Sequence, residues 1–102
     1  MAEYDFSNLE SKFPGVVDQM KHIFDSHEFL LVLAQQNQPE YINALYAYKT
    51  SGNQAPFQVV HGLLMKKLRQ HTDLVLLLRD DKPSIDIWGN SNTCAEWQKV
   101  KK

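Results

Sequence analysis

Residues 25–48 read DSHEFLLVLAQQNQPEYINALYAY, and this stretch decides the fold. It holds two helix-start signals in succession. Asp25 is followed three residues later by Glu28, and Asn37 three residues later by Glu40, with Pro39 in the second first turn. Each pair can form a capping box, in which the cap side chain accepts a backbone N–H and the Glu reaches back to the cap. Between the two signals, residues 29–34 are apolar without a break. On a helix such a run is apolar nearly all round, which places it in the middle of a domain. A buried strand is the competing reading of a short apolar run. The capping box and the lack of a flanking glycine favour the helix. The second signal opens a helix over about 39–50, with Tyr41, Ala44, Leu45 and Tyr48 on one face, Ile42 beside them and Tyr46 pointing elsewhere.

Working outward toward the N-terminus, Val16, Val17, Met20, Ile23 and Phe24 fall at helical spacing and define an amphipathic stripe. Ser7 and Glu10 form a third possible capping box, but Pro14-Gly15 follows soon after. Residues 1–13 therefore read as a loosely ordered arm or a short helical turn. Toward the C-terminus, Ser51-Gly52-Asn53 carries helix-stop chemistry, and Pro56 suits the first turn of a further helix running to about His71. In that helix Phe57, Val60, Leu64 and Leu68 face the core, while Gln58, Lys66, Arg69 and Gln70 face outward and Gly62 lies on the outer side. Residues 74–79 and 84–88 read as a β-hairpin across Asp80-Asp81-Lys82-Pro83. Residues 89–92 read as a loop, and Thr93 with Glu96 as the start of a short terminal helix that carries Trp97. The fold class is α+β and mainly helical. About four helices surround a buried central one, followed by a hairpin and a short C-terminal helix.

Composition bounds the function classes. A chain of 102 residues, 43% of them hydrophobic and 11% aromatic, fits one small globular domain with its own core. Cys94 is the only cysteine, so no intramolecular disulfide can form and a reducing, cytoplasmic setting is expected. No stretch approaches the ~20 apolar residues of a membrane span. The net charge of −1 argues against a protein that coats nucleic acid, although the acidic side chains concentrate in residues 1–50 and the basic ones in 51–102.

No residue pattern points to catalysis. His22 and His27 come close to a zinc spacing, but an expected helix break separates them and no second pair follows, so no metal is expected. His61 reads as a hydrogen-bonded core histidine, and His71 as a helix-end residue that favours the dipole when protonated. Cys94 lacks the surroundings of a cysteine nucleophile and reads as a half-buried structural thiol. Asp80-Asp81 sits where a turn favours Asp. No phosphate-binding or nucleophile-elbow motif occurs, so neither a cofactor nor a small-molecule substrate is expected.

The expected function is that of a non-enzymatic binding module. It would recognise a protein partner, or a second copy of itself, through the exposed aromatics Tyr46, Trp88 and Trp97, since aromatics dominate interface hot spots. Packing of Trp88 on Trp97 is the competing structural reading. The alternative function rests on element order, which resembles that of winged helix-turn-helix proteins, where a recognition helix enters the major groove. That resemblance implies DNA contacts by Gln58, Lys66, Arg69 and Gln70, with Lys82 at the tip of the wing.

Overall fold

The computed structural model describes residues 4–49 and 56–100. In chain order these form α1 (Ser7–Glu10), α2 (Phe13–Gln19), β1 (Ile23–Asp25), α3 (Ser26–Gln36), α4 (Gln38–Ala47), α5 (Pro56–Gln70), β2 (Val75–Ile85) and β3 (Ser91–Lys99). The architecture is α+β: five helices among the described residues pack with one antiparallel sheet of strand order β1-β3-β2. The helix-stop residues Ser51-Gly52-Asn53 lie outside the described residues.

The first capping box forms as the sequence dictates. Glu28 N donates to Asp25 Oδ1 at 2.9 Å, and Asp25 N donates to Glu28 Oε1 at 3.2 Å. Helix α3 then buries Phe29, Leu30, Leu33 and Ala34. Leu31 is 39% exposed, so the apolar run is not covered on every side. The second box does not form. Asn37 ends α3 and begins α4 at once, and its side-chain Nδ2 donates backward to Leu33 O at 3.0 Å. The bond to the orphan carbonyl of α3 turns the amide back toward that helix, and its Oδ1 makes no cap bond to α4.

Three sequence expectations are corrected by sheet pairing. The stripe from Val16 to Phe24 is not one helix. Helix α2 starts earlier, with Pro14 in its first turn, and after the extended Met20 the chain becomes strand β1. There the period changes to two, leaving Ile23 exposed and Phe24 buried. The expected terminal helix is strand β3, and Thr93 and Glu96 cap nothing, because both pair in the ladder with β2. The hairpin turn lies not at 80–83 but at 86–90. Asp86 Oδ1 there accepts from Trp88 N and Asn90 N, and Gly89 adopts φ 86°, a conformation glycine reaches without strain. Residues 80–83 belong instead to β2, whose register shifts twice between Leu77 and Lys82. Pro83 is tolerated because β2 is an edge strand.

The N-terminal segment is no loose arm from Phe6 on, since Phe6, Leu9 and Phe13 join the core with Val16, Phe24, Phe29, Leu33, Val60, Leu64, Leu68 and Trp97. Strand β3 holds the centre of the sheet, with Trp97 opposite Phe24 on one side and Leu77 on the other. The outcome positions α5 across the sheet and places its N-terminal end beside the β2–β3 turn, where Phe57 and Trp88 meet with ring centroids 5.4 Å apart.

Candidate functional site

The N-terminal end of α5, the outer face of α4 and the β2–β3 turn enclose a shallow concavity of about 500 Å³, lined by Ile42, Leu45, Tyr46, Lys49, Pro56, Phe57 and Trp88. Each element contributes for a local reason. Ile42 and Tyr46 stand four residues apart on α4, one above the other on a helix face. Their exposures are 60% and 66%. Trp88 is 54% exposed, held out by the Asp86-centred turn and backed on one side by Phe57. Lys49 caps the end of the face, its Nζ 4.2 Å from the Tyr46 ring centroid. Two of the three aromatics singled out in the sequence, Tyr46 and Trp88, thus share one apolar surface.

Trp97 does not join them. It is 2% exposed, and its Nε1 donates to Ser26 Oγ at 2.9 Å. The expectation of an exposed Trp97 is corrected: the residue sits in the central strand on the core side. The competing reading, Trp88 packed on Trp97, is not found either: the ring beside Trp88 is Phe57.

A second groove, about 480 Å³, runs between α5 and the sheet and includes Gln58, Gly62, Lys66, Arg69 and Asp80. Gln58, Lys66 and Arg69, expected to face outward together, do share this groove, and Gln70 is exposed at the end of the helix. Lys82 does not lie at the tip of a wing. It sits within β2, 3.2 Å from Asp25 Oδ2 and 3.9 Å from Glu96 Oε2, and these carboxylates occupy its charge.

Between the two surfaces lies a polar cluster. Tyr41 Oη and His61 Nε2 are 2.6 Å apart, with the two rings stacked. Burial, with help from nearby His27 and opposed by Asp86, pushes His61 down to about 4. Burial raises the Tyr41 phenol, so at neutral pH both groups are uncharged. The Cys94 thiol is also pushed up by burial and by the nearby Asp25 carboxylate, although the backbone N–H groups of His27 and Ser26 and the Ser84 hydroxyl pull the other way. That net direction opposes a cysteine nucleophile.

The His61 shift has a consequence for stability. A histidine held below its ordinary value stabilises the fold fully above about 6.5, and this contribution disappears as pH falls toward the folded-state value. Urea unfolding should lose on the order of 3 kcal/mol between pH 7 and pH 4 from this group. His61→Gln should flatten that portion of the profile, and superimposable profiles for the two proteins would refute the assignment.

The convergence of α4, α5 and the turn was not legible in the sequence, because the turn lies at 86–90 and not at Asp80-Asp81-Lys82-Pro83. The clue available was Asp86-x-x-Gly89, an Asx turn closed by a glycine able to adopt positive φ. No protein-family model, curated protein or solved structure matches this chain.

Proposed function

We propose that this domain is a non-enzymatic protein-binding module that docks a partner on the face formed by Ile42, Tyr46, Phe57 and Trp88. The observation that carries this reading is the convergence of Tyr46 and Trp88, from α4 and the β2–β3 turn, on one exposed apolar concavity. Aromatic anchors of this kind are where interfaces concentrate their binding energy. Exposed apolar clusters that fold into one concave surface mark interaction sites more often than isolated apolar residues do. The partner is expected to present aliphatic or aromatic side chains to the centre, with a carboxylate toward Lys49 at the rim. The lone thiol favours a reducing, cytoplasmic setting for this role.

DNA binding is the second reading. It is favoured by the order α2, β1, α3, α4, α5, β2, β3, in which helices precede a two-stranded hairpin, and by the shared groove of Gln58, Lys66 and Arg69. Recognition helices meet base edges with their N-terminal residues. In α5 that end carries Pro56 and Phe57 against Trp88, an apolar surface, whereas Lys66 and Arg69 lie further along the helix. Asp86 in the turn adds negative charge where a phosphate would approach.

The two readings separate by mutation and salt. Purified domain, immobilised and exposed to nuclease-treated native lysate, should retain a partner that Trp88→Ala or Tyr46→Ala weakens by about 2 kcal/mol, roughly thirtyfold. Lys66→Ala and Arg69→Ala should leave that retention unchanged. The opposite mutational order, with a steep loss of duplex DNA affinity as salt rises, would replace this function with the second reading.

A further inference from the structure

We propose that Asp25, His27 and Cys94 form a binding site for zinc. The three residues come from β1, the first turn of α3 and β3, and one ligand atom from each lies within 4.8 Å of the others. A carboxylate oxygen, an imidazole nitrogen and a thiolate sulfur form a mixed donor set that suits zinc and disfavours calcium or magnesium. Zinc bond lengths set neighbouring ligand atoms at roughly 3.3–3.6 Å in a tetrahedral site. Closing from 4.8 Å therefore takes a contraction of up to about 1.2–1.5 Å, which side-chain torsions supply.

A second observation points to a ligand independently. His27 Nδ1 is buried and makes no hydrogen bond, the single such side-chain atom among the described residues. Buried polar atoms in native proteins are almost always paired, and an orphan imidazole nitrogen is a free lone pair or a proton with nowhere to go. Coordination resolves it. His27 and Cys94 line a groove of about 440 Å³, leaving a route of entry and room for a fourth ligand. The charged competitor is Lys82, whose Nζ lies 3.2 Å from Asp25 Oδ2. The carboxylate must share itself between the ammonium and the metal.

This arrangement makes Lys82 a test residue alongside the ligands. Cobalt(II) added to the reduced protein should give a sulfur-to-cobalt charge-transfer band that saturates at one equivalent per chain and is bleached by zinc. Cys94→Ser should abolish the band. His27→Ala should weaken zinc at least about tenfold, and Lys82→Met should strengthen it by a similar factor, with circular dichroism confirming that each variant is folded. In wild-type protein, zinc should also protect Cys94 from alkylation, a readout that needs no variant. Absence of the charge-transfer band, saturation at one metal per two chains, or a His27→Ala affinity equal to wild type would overturn the site.

Discussion

Replacing Trp97 by alanine should cost about 3–5 kcal/mol, the range for removing a large buried aromatic. A domain of this size is stable by only ~5–15 kcal/mol, so the variant should lie near the edge of folding. The cost comes from position as much as from size. Trp97 occupies the central strand with Phe24 opposite on β1 and Leu77 opposite on β2, and its indole N–H donates to Ser26 Oγ at the first residue of α3. One side chain therefore joins both edge strands and the start of the central helix. Trp97→Phe should recover most of the loss. The remaining deficit is about 1 kcal/mol for the missing hydrogen bond plus a small cavity. Urea unfolding followed by far-ultraviolet circular dichroism checks both. A Trp97→Ala loss below about 1 kcal/mol would mean that the strand does not anchor the core.

Asp25→Ala should cost roughly 2–4 kcal/mol, a large loss for a polar residue. The carboxylate caps α3 through Glu28 N at 2.9 Å and also accepts from Ser84 Oγ at 2.9 Å and Lys82 Nζ at 3.2 Å. Losing the cap alone costs ~1 kcal/mol. The remainder reflects the Lys82 and Ser84 donors left without their acceptor on the far strand. Asp25→Asn keeps an acceptor for the cap while removing the charge, and should fall between wild type and Asp25→Ala. Burial works to raise the Asp25 carboxyl, but the donors from Glu28, Ser84 and Lys82 outweigh it and hold the group below its ordinary value. Its stabilisation is therefore complete above the ordinary carboxylate range and is lost as pH falls through the folded-state value. The acid limb of the stability profile should flatten in Asp25→Asn, in a window below the one governed by His61. An unaltered acid limb would assign that limb to other carboxylates.

What could be read from the sequence was whatever had a local cause. The Asp25–Glu28 box, the helix it opens and Val60, Leu64 and Leu68 of the α5 stripe depend on neighbours within one or two turns and are found in the fold, whereas Phe57, expected on that stripe, is half-buried against Trp88 outside the core. The misreadings share a different cause. Residues 23–25 continue a helical stripe in sequence yet form a strand, because residues 96–98 offer backbone partners there. Thr93 and Glu96 have capping spacing yet lie in β3, because the ladder with β2 satisfies their backbone groups. Non-local pairing overrode local propensity in both places. The candidate face was legible only as parts. Tyr46 and Trp88 could be singled out as aromatics off the core pattern, but the turn that brings them together could not be placed. Trp97, expected on a short terminal helix, is core, because strand β3 directs that side chain inward. Cys94 beside His27 was invisible for the same reason.

The placement of β3 between the other two strands also governs when the chain can fold. Ser26 and Trp97 are 71 residues apart, and the helices emerge from the ribosome before the strand that completes their sheet. Until then Phe24 and the sheet-facing side of α3 have no cover, and vectorial synthesis cannot deliver a finished N-terminal half. Closure of so long a loop is intrinsically slow, and a nascent chain awaiting it exposes surface of the kind that chaperones hold.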